Sequence, residues 1–262
     1  MQKYRLMGNL ILFAGKDLPA GNDMASGASF QGRRVITTSL PVKNEDDSDN
    51  PSENNSGSLS SSKSGGVTAV VWNRSSALSC RSLALRCENE GGLDEAVLVF
   101  DEFYFATKYR ERNNAQILEE LIASYQYLTQ ELISRFNRQN KKRKLVFLHK
   151  SNYTLCDGVN SSSVRGLGIE LSNPLIAAAS GAFRAYAENV AATLCDGGNI
   201  TPVLVSCDSQ NDLSKRDSSL SVWLCEYIDS LDNLKKPLSP KQKVSWIKAG
   251  DKKPSGFGIL GF

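Results

Sequence analysis

Few stretches of this chain bring together side chains that could do chemistry. The run "KLVFLHK" ends in His149, the only histidine of the chain, and Lys150, with Ser151 following. An imidazole, an ammonium and a hydroxyl in sequence are candidates for acid/base work at neutral pH. The run "EAVLVFDE" ends in the paired carboxylates Asp101 and Glu102. A third stretch, "GKDLPAGND", sets Gly15 and Gly21 six residues apart around Asp17 and places Asp23 just beyond. The six cysteines (Cys80, Cys87, Cys156, Cys195, Cys207 and Cys225) form no CxxC pair and have no histidine at ligand spacing. They predict small buried side chains and neither a metal site nor a redox pair.

These groups need elements to hold them. Short apolar or β-branched runs at residues 9–15, 33–39, 67–73, 95–102, 144–150, 201–208 and 243–249 predict up to seven strands. Helical patterns lie between several of them. In residues 114–137, Leu118, Leu121, Ile122, Tyr125, Leu128, Leu132 and Phe136 recur at steps of three and four, which makes one apolar face. In residues 175–195, Phe183, Ala187, Val190, Ala191 and Leu194 make another. Strands and helices in alternation predict a doubly wound parallel sheet covered on both faces, an α/β fold.

With 262 residues, the chain is read as a single domain over 1–262. Residues 43–66, "KNEDDSDNPSENNSGSLSSSKSGG", hold almost nothing apolar and predict a disordered acidic, serine-rich insertion. A net charge of +3, from 31 basic and 28 acidic residues, argues against nucleic acid as a partner. The basic run "KKRK" at 141–144 reads as a solvated helix end. No run reaches the roughly 18 to 20 apolar residues that a spanning helix needs. The opening "MQKYRLMGNLILFAG" is interrupted by Gly8 and Asn9 and predicts a buried first strand rather than a signal peptide. A cytoplasmic protein without a membrane span is expected.

Several stretches in order resemble the short-chain dehydrogenase/reductase family. "ALSCRSLALRCENEGGLDEAVLVFDEF" is similar to the segment in which a helix ends in a Gly-Leu-Asp turn and feeds the fourth strand. "LIASYQYLTQELISRF" resembles the long interface helix, "KLVFLHKS" the fifth strand, and "ASGAFRAYAENVAATL" the helix after the catalytic Tyr. These stretches cover about residues 67–208, and residues 9–39 resemble the opening strand, helix and second strand. The resemblance implies a Rossmann-like fold and NAD or NADP as the family's cofactor.

Set position by position, the resemblance puts the family's Tyr and Lys on Ala177 and Gly181, its Asn near Leu121, and its Ser near His149 or Lys150 with Ser151 one place off. Catalysis in the family needs a phenol with an ammonium beside it, and Ala and Gly supply neither. Tyr186, nine residues further on, reads as structural. The glycines of the phosphate turn correspond to Gly15 and Gly21, with Asp17 and Asp23 opposing a pyrophosphate and no arginine placed to neutralise them. Asp101 and Glu102 stand where the family has small neutral residues beside the cofactor. Thr38, after the second strand, leaves room for a 2′-phosphate.

The reading that follows is a degenerate, non-catalytic member of the family without a cofactor, acting as a structural or protein-interaction module. It would self-associate or bind a protein partner through helices 114–137 and 175–195. Two alternatives stand beside it. One is a divergent NAD(P)-dependent oxidoreductase using His149, Lys150 or Ser151; the other is a small-ligand or nucleotide sensor without turnover.

Overall fold

The computed structural model describes residues 8–41, 63–64, 66–109, 113–139, 141–152, 174–195, 198–232 and 244–252. Seven of the strands are β1 (Leu10–Leu18), β2 (Arg34–Ser39), β4 (Val67–Val71), β5 (Glu95–Asp101), β6 (Arg143–Ser151), β7 (Ile200–Asp208) and β8 (Ile247–Lys248); a two-residue β3 (Lys63–Ser64) precedes β4. They form one sheet in the order β3-β4-β2-β1-β5-β6-β7-β8. Every pairing is parallel except β3 with β4. All seven strands expected from the apolar runs are present. The expected disordered insertion lies outside the described residues, apart from Lys63, Ser64 and Gly66.

The helices are α1 (Asn22–Phe30), α2 (Ala77–Asn89), α3 (Glu102–Lys108), α4 (Asn114–Leu118), α5 (Ser124–Arg138), α6 (Pro174–Leu194) and α7 (Asp217–Asp232). Side chains alternate across the sheet, as strand geometry requires. Leu10, Leu12, Leu98, Phe100, Leu145 and Phe147 pack on one face with residues of α2, α5 and α6. Ile11, Phe13, Val97, Val99, Val146 and Leu148 pack on the other with residues of α1 and α7. All seven residues of β5 are buried, so it forms the middle of both cores. Helix starts are fixed by side chains that accept from free backbone amides: Ser76 for α2, Asp101 for α3 and Asn113 for α4.

Two expectations change. The helix read over 114–137 is broken by a π turn, Glu119–Ala123, between α4 and α5. Ser124 Oγ donates to the Glu120 carbonyl there at 2.7 Å. The wider turn re-phases the apolar stripe: Ile117 is buried, while Leu118, assigned to the stripe, is 47% exposed. The run at 141–144 is no helix end. Arg143 and Lys144 begin β6 and are buried, with Arg143 donating to Asp94 at 2.6 Å and Lys144 paired with Asp232. Cationic residues at a strand's opening can be internal when carboxylates from neighbouring elements meet them, and charge type alone does not report this.

Helices α1 and α7 cross so closely that a Cβ on Gly27 would lie 2.3 Å from the Ser218 carbonyl oxygen. Gly27→Val is therefore expected to force α1 off α7 and to cost about 2 kcal/mol or more. For a chain of this size that corresponds to a fall of about 4–8 °C in Tm, and a melting curve that overlays the parent's would contradict the packing described.

Candidate functional site

The carboxyl ends of the central strands carry the charged residues of interest, and the order of the sheet reverses between β1 and β5. In open α/β sheets, ligands bind in the crevice at such a point. Here the crevice begins with Gly15, whose φ of +122° favours glycine. A Cβ on it would sit 2.0 Å from the Val99 carbonyl oxygen and 2.6 Å from the Tyr125 hydroxyl. Gly21, at the start of α1, is as tightly enclosed, with a Cβ falling 2.2 Å from the Lys16 carbonyl oxygen. Both glycines are thus required by the protein's own backbone.

Successive residues of a strand point to opposite faces, so Lys16 and Asp17 enter different networks. Asp17 is fully buried. It accepts from Thr38 Oγ1 at 2.6 Å, Lys108 Nζ at 2.8 Å and Arg74 Nη2 at 3.0 Å. Burial alone would push the Asp17 pKa up; Arg74, Lys108 and Thr38 together outweigh it and hold the carboxyl below its ordinary range. Arg74 also donates to the Gly15 carbonyl oxygen at 2.5 Å, and its guanidinium lies 4.7 Å from the Trp72 ring centroid and 5.1 Å from that of Phe105. The expectation that no arginine neutralises Asp17 is therefore corrected. Arg74 does so from the turn after β4, 57 residues away in sequence. Asp23 does not face this turn's amides; its carboxylate accepts from Ser218 N at the start of α7.

Lys16 joins a second network. Its Nζ lies 2.7 Å from Asp101 and 2.6 Å from Asp217, while Lys150 Nζ lies 3.1 Å from Asp101 and 2.6 Å from Asp217. Two ammonium groups and two carboxylates thus alternate in a ring. Burial lowers the Lys150 pKa, but Asp101 and Asp217 raise it further, so the net shift is upward and the ammonium keeps its proton. The ring forms one wall of a cavity of about 340 Å³ that Ser151, Asn152 and Cys207 also line. Burial pushes the Cys207 thiol up to about 11, which removes it as a neutral-pH nucleophile.

A third network joins His149, Ser180 and Glu102, all buried. Ser180 donates to Glu102, His149 Nε2 lies 2.7 Å from Ser180 Oγ, and the Asn152 backbone N–H donates to the second Glu102 oxygen at 2.7 Å. Because the Ser180 proton is committed to the carboxylate, the hydroxyl accepts from Nε2–H, and the chain of donors runs His to Ser to Glu. This is the reverse of an arrangement that would activate Ser180 as a nucleophile. His149 Nδ1 has no hydrogen-bond partner among the described residues.

Of the residues singled out in the sequence, the structure brings Lys150 and Asp101 together in the ring, sets His149 beside Glu102, and gives Thr38 to Asp17. Leu121 is fully buried in the apolar core within the π turn. Tyr186 packs on Phe147 with ring centroids 6.4 Å apart. Ala177 and Gly181 are exposed on the outer side of α6. The inward positions at the same spacing are Ile176 and Ser180, one residue earlier. A helix with small residues on every side gives little signal for its phase. Lys16, Arg74, Lys108, Asp217 and Ser180 were not singled out. The strand alternation at Lys16–Asp17 was the one available clue, while Arg74 lies in a turn and Asp217 at the first residue of α7, places where charge is ordinarily solvated.

No family model matches the chain. A Treponema pallidum (strain Nichols) protein described as uncharacterized is 25% identical over 189 residues, covering 70% of this chain and 73% of that protein. Among solved structures, a variant of a short-chain dehydrogenase/reductase from Serratia marcescens aligns with a TM-score of 0.54 at 13% identity, covering 94% of this chain and 98% of that one. A short chain dehydrogenase/reductase from Burkholderia phymatum in complex with NAD aligns with a TM-score of 0.50 at 13% identity, covering 77% of this chain and 66% of that one. The chain thus shares the fold of these proteins, a Rossmann-like sheet.

The residues at the crevice do not fit the dinucleotide that this fold carries in the Burkholderia protein. A pyrophosphate needs backbone amides free at the helix start and an electropositive surface. Here the Asn22 N–H donates to the Pro19 carbonyl at 3.0 Å, a Cβ on Gly15 would abut Val99, and the cations near the strand ends, Arg74, Lys108, Lys16 and Lys150, are already committed to Asp17 and Asp101.

Arg74→Met leaves Asp17 buried with its largest opposing charge gone, and about 3–5 kcal/mol of stability is expected to be lost at pH 7. Native Asp17, with a depressed folded pKa, contributes stability that is present above the unfolded value of about 3.9 and lost as pH falls through the folded value. In the variant that carboxyl is raised instead, so the deficit shrinks on going from pH 7 to pH 4, and adding Asp17→Asn restores part of it. Urea unfolding at both pH values measures this; a pH-independent loss below about 1 kcal/mol would contradict the account.

Proposed function

We propose that the chain is a non-catalytic protein with the short-chain dehydrogenase fold, whose cofactor crevice is closed by its own ion pairs and whose task is to bind another protein or a second copy of itself. The observation that carries this reading is Arg74, buried and donating to both the Gly15 carbonyl and Asp17. Its contacts tie together the turn that would have to open around a pyrophosphate. The chemistry of hydride transfer finds no support either. A phenol with a neighbouring ammonium would have to project inward from α6, and Ile176 and Ser180 hold the inward positions there. Lys150 is held by two carboxylates, which fixes its charge and its direction.

The binding reading rests on the outer faces of α5 and α6. Tyr127 is 41% exposed on α5, and Ala177, Gly181, Ala185 and Ala192 form a row of small exposed residues on α6. Tyr is among the side chains enriched at interfaces, and small residues on a helix let a second helix approach closely. Among the described residues no helix is long and apolar enough to cross a membrane, so a protein surface is the simpler partner.

A second reading has its own observation. The 340 Å³ cavity beside the Lys16–Asp101–Lys150–Asp217 ring has polar walls, which favours a small polar ligand held without turnover. The divergent-oxidoreductase reading would need His149, Lys150 or Ser151 to reach a bound nicotinamide, and His149 is buried.

Titration calorimetry with NAD, NADH, NADP and NADPH is expected to give no saturable binding below the millimolar range, and binding by any of them would favour the oxidoreductase. Light scattering on the parent and on the Ala185→Arg, Tyr127→Glu variant tests the interface. The parent is expected to exceed the monomer mass or to capture a partner that the variant loses, and a monomer in both cases with no partner lost would overturn the binding reading.

A further inference from the structure

Away from the crevice, helices α1 and α7 leave a groove of about 660 Å³ on the molecular surface. Its walls include Gly27 and Phe30 on α1 and Val222 and Trp223 on α7, with Asp23 and Glu226 among its polar residues. Phe30, the last residue of α1, is 85% exposed, more than any other large apolar side chain among the described residues. An apolar floor beside so exposed a ring is the kind of surface that a partner segment covers.

The path of the chain says which segment that is. After β8, the Lys248 backbone N–H donates to the Asp251 carboxylate at 3.0 Å and the Asp251 N–H to the Lys248 carbonyl at 3.0 Å, with Gly250 at φ +89° in the turn. Trp223 Nε1 donates to the Asp251 carbonyl at 3.4 Å. The chain is therefore pinned against the groove's own Trp223 at residue 251. The next residues, 253–262, read "KPSGFGILGF" and hold four large apolar side chains, Phe257, Ile259, Leu260 and Phe262. Ten residues reach up to about 33 Å when extended, and a nine-residue helix such as α1 is about 13 Å long. The segment can therefore run the whole length of the groove from its point of departure.

We propose that residues 253–262 fold back within the same chain and dock their apolar side chains in the α1–α7 groove, covering Phe30. The basic Lys252 and Lys253 lead into it, and of the groove's charged residues the acidic Asp23 and Glu226 outnumber Arg216, which complements their charge. Docking in the same chain follows from tethering: a segment anchored at Trp223 is present at millimolar effective concentration, above that of any second copy in dilute solution.

The test uses the full chain with Phe30 replaced by the photoreactive p-benzoylphenylalanine, an exposed position where the larger ring meets no core. Equal amounts of light and isotopically heavy chains are mixed, irradiated and digested, and cross-linked peptides are identified by mass. The expected result is a link from position 30 to residues 253–262 within chains of one isotope, lost when Phe257→Asp and Leu260→Asp are added. Mixed light–heavy links as abundant as links within one isotope would assign the groove to a second copy. Absence of any link to 253–262, or a link that survives the aspartates, would equally overturn the proposal.

Discussion

One carboxylate sets the terms for the crevice end of this molecule. Asp17 has no access to solvent, and an ionised carboxylate in that position is tolerable only if opposite charge and hydrogen-bond donors reach it. They come from three separate elements: Arg74 from the loop after β4, Lys108 from the end of α3, and Thr38 from β2. Meeting this one requirement fixes how the loop after β4 closes over β1 and where α3 ends. The guanidinium in turn needs flat partners for its faces, and Trp72, Phe105 and Tyr125 surround it. Charge, aromatic packing and backbone closure at this end are therefore a single arrangement.

The ring of Lys16, Asp101, Lys150 and Asp217 is its counterpart one residue earlier on β1. Asp101 takes part in two ways, accepting from Lys16 and capping α3 through the Tyr104 amide. Helix α3 then carries Lys108 back to Asp17 and, at its first residue, presents Glu102 to Ser180 and His149. The three polar networks are thus linked through one seven-residue helix. A change that moves α3 is felt in all of them.

Much of the scaffold was legible in the residues. Strands buried on both faces write themselves as apolar runs, so β1, β5 and β6 could be read without any partner in view, and the stripe from Tyr125 to Phe136 marked α5. The site was far less legible, because its content is pairing. Asp17 meets Arg74 and Lys108 across 57 and 91 residues, and Lys150 meets Asp217 across 67. No local pattern records such distances. Ala177 and Gly181, which the resemblance placed in the site, are exposed, while Ile176 and Ser180 one residue earlier are buried, since one residue on a helix turns a side chain by about 100°. Leu118 was misassigned for a related reason, since a π turn changes the period on which the reading relied.

The mutual dependence of Asp17, Arg74 and Lys108 also bears on how such a sequence can change over time. Losing either cation weakens the compensation of the buried acid, and losing the acid leaves the buried Arg74 and the half-buried Lys108 facing each other. Each single step away from the set therefore passes through a less stable chain, while simultaneous replacement of several positions is rare. Neutral drift is then channelled to the rest of the surface, and the set of Asp17, Arg74 and Lys108 behaves as a ratchet that single substitutions do not easily release.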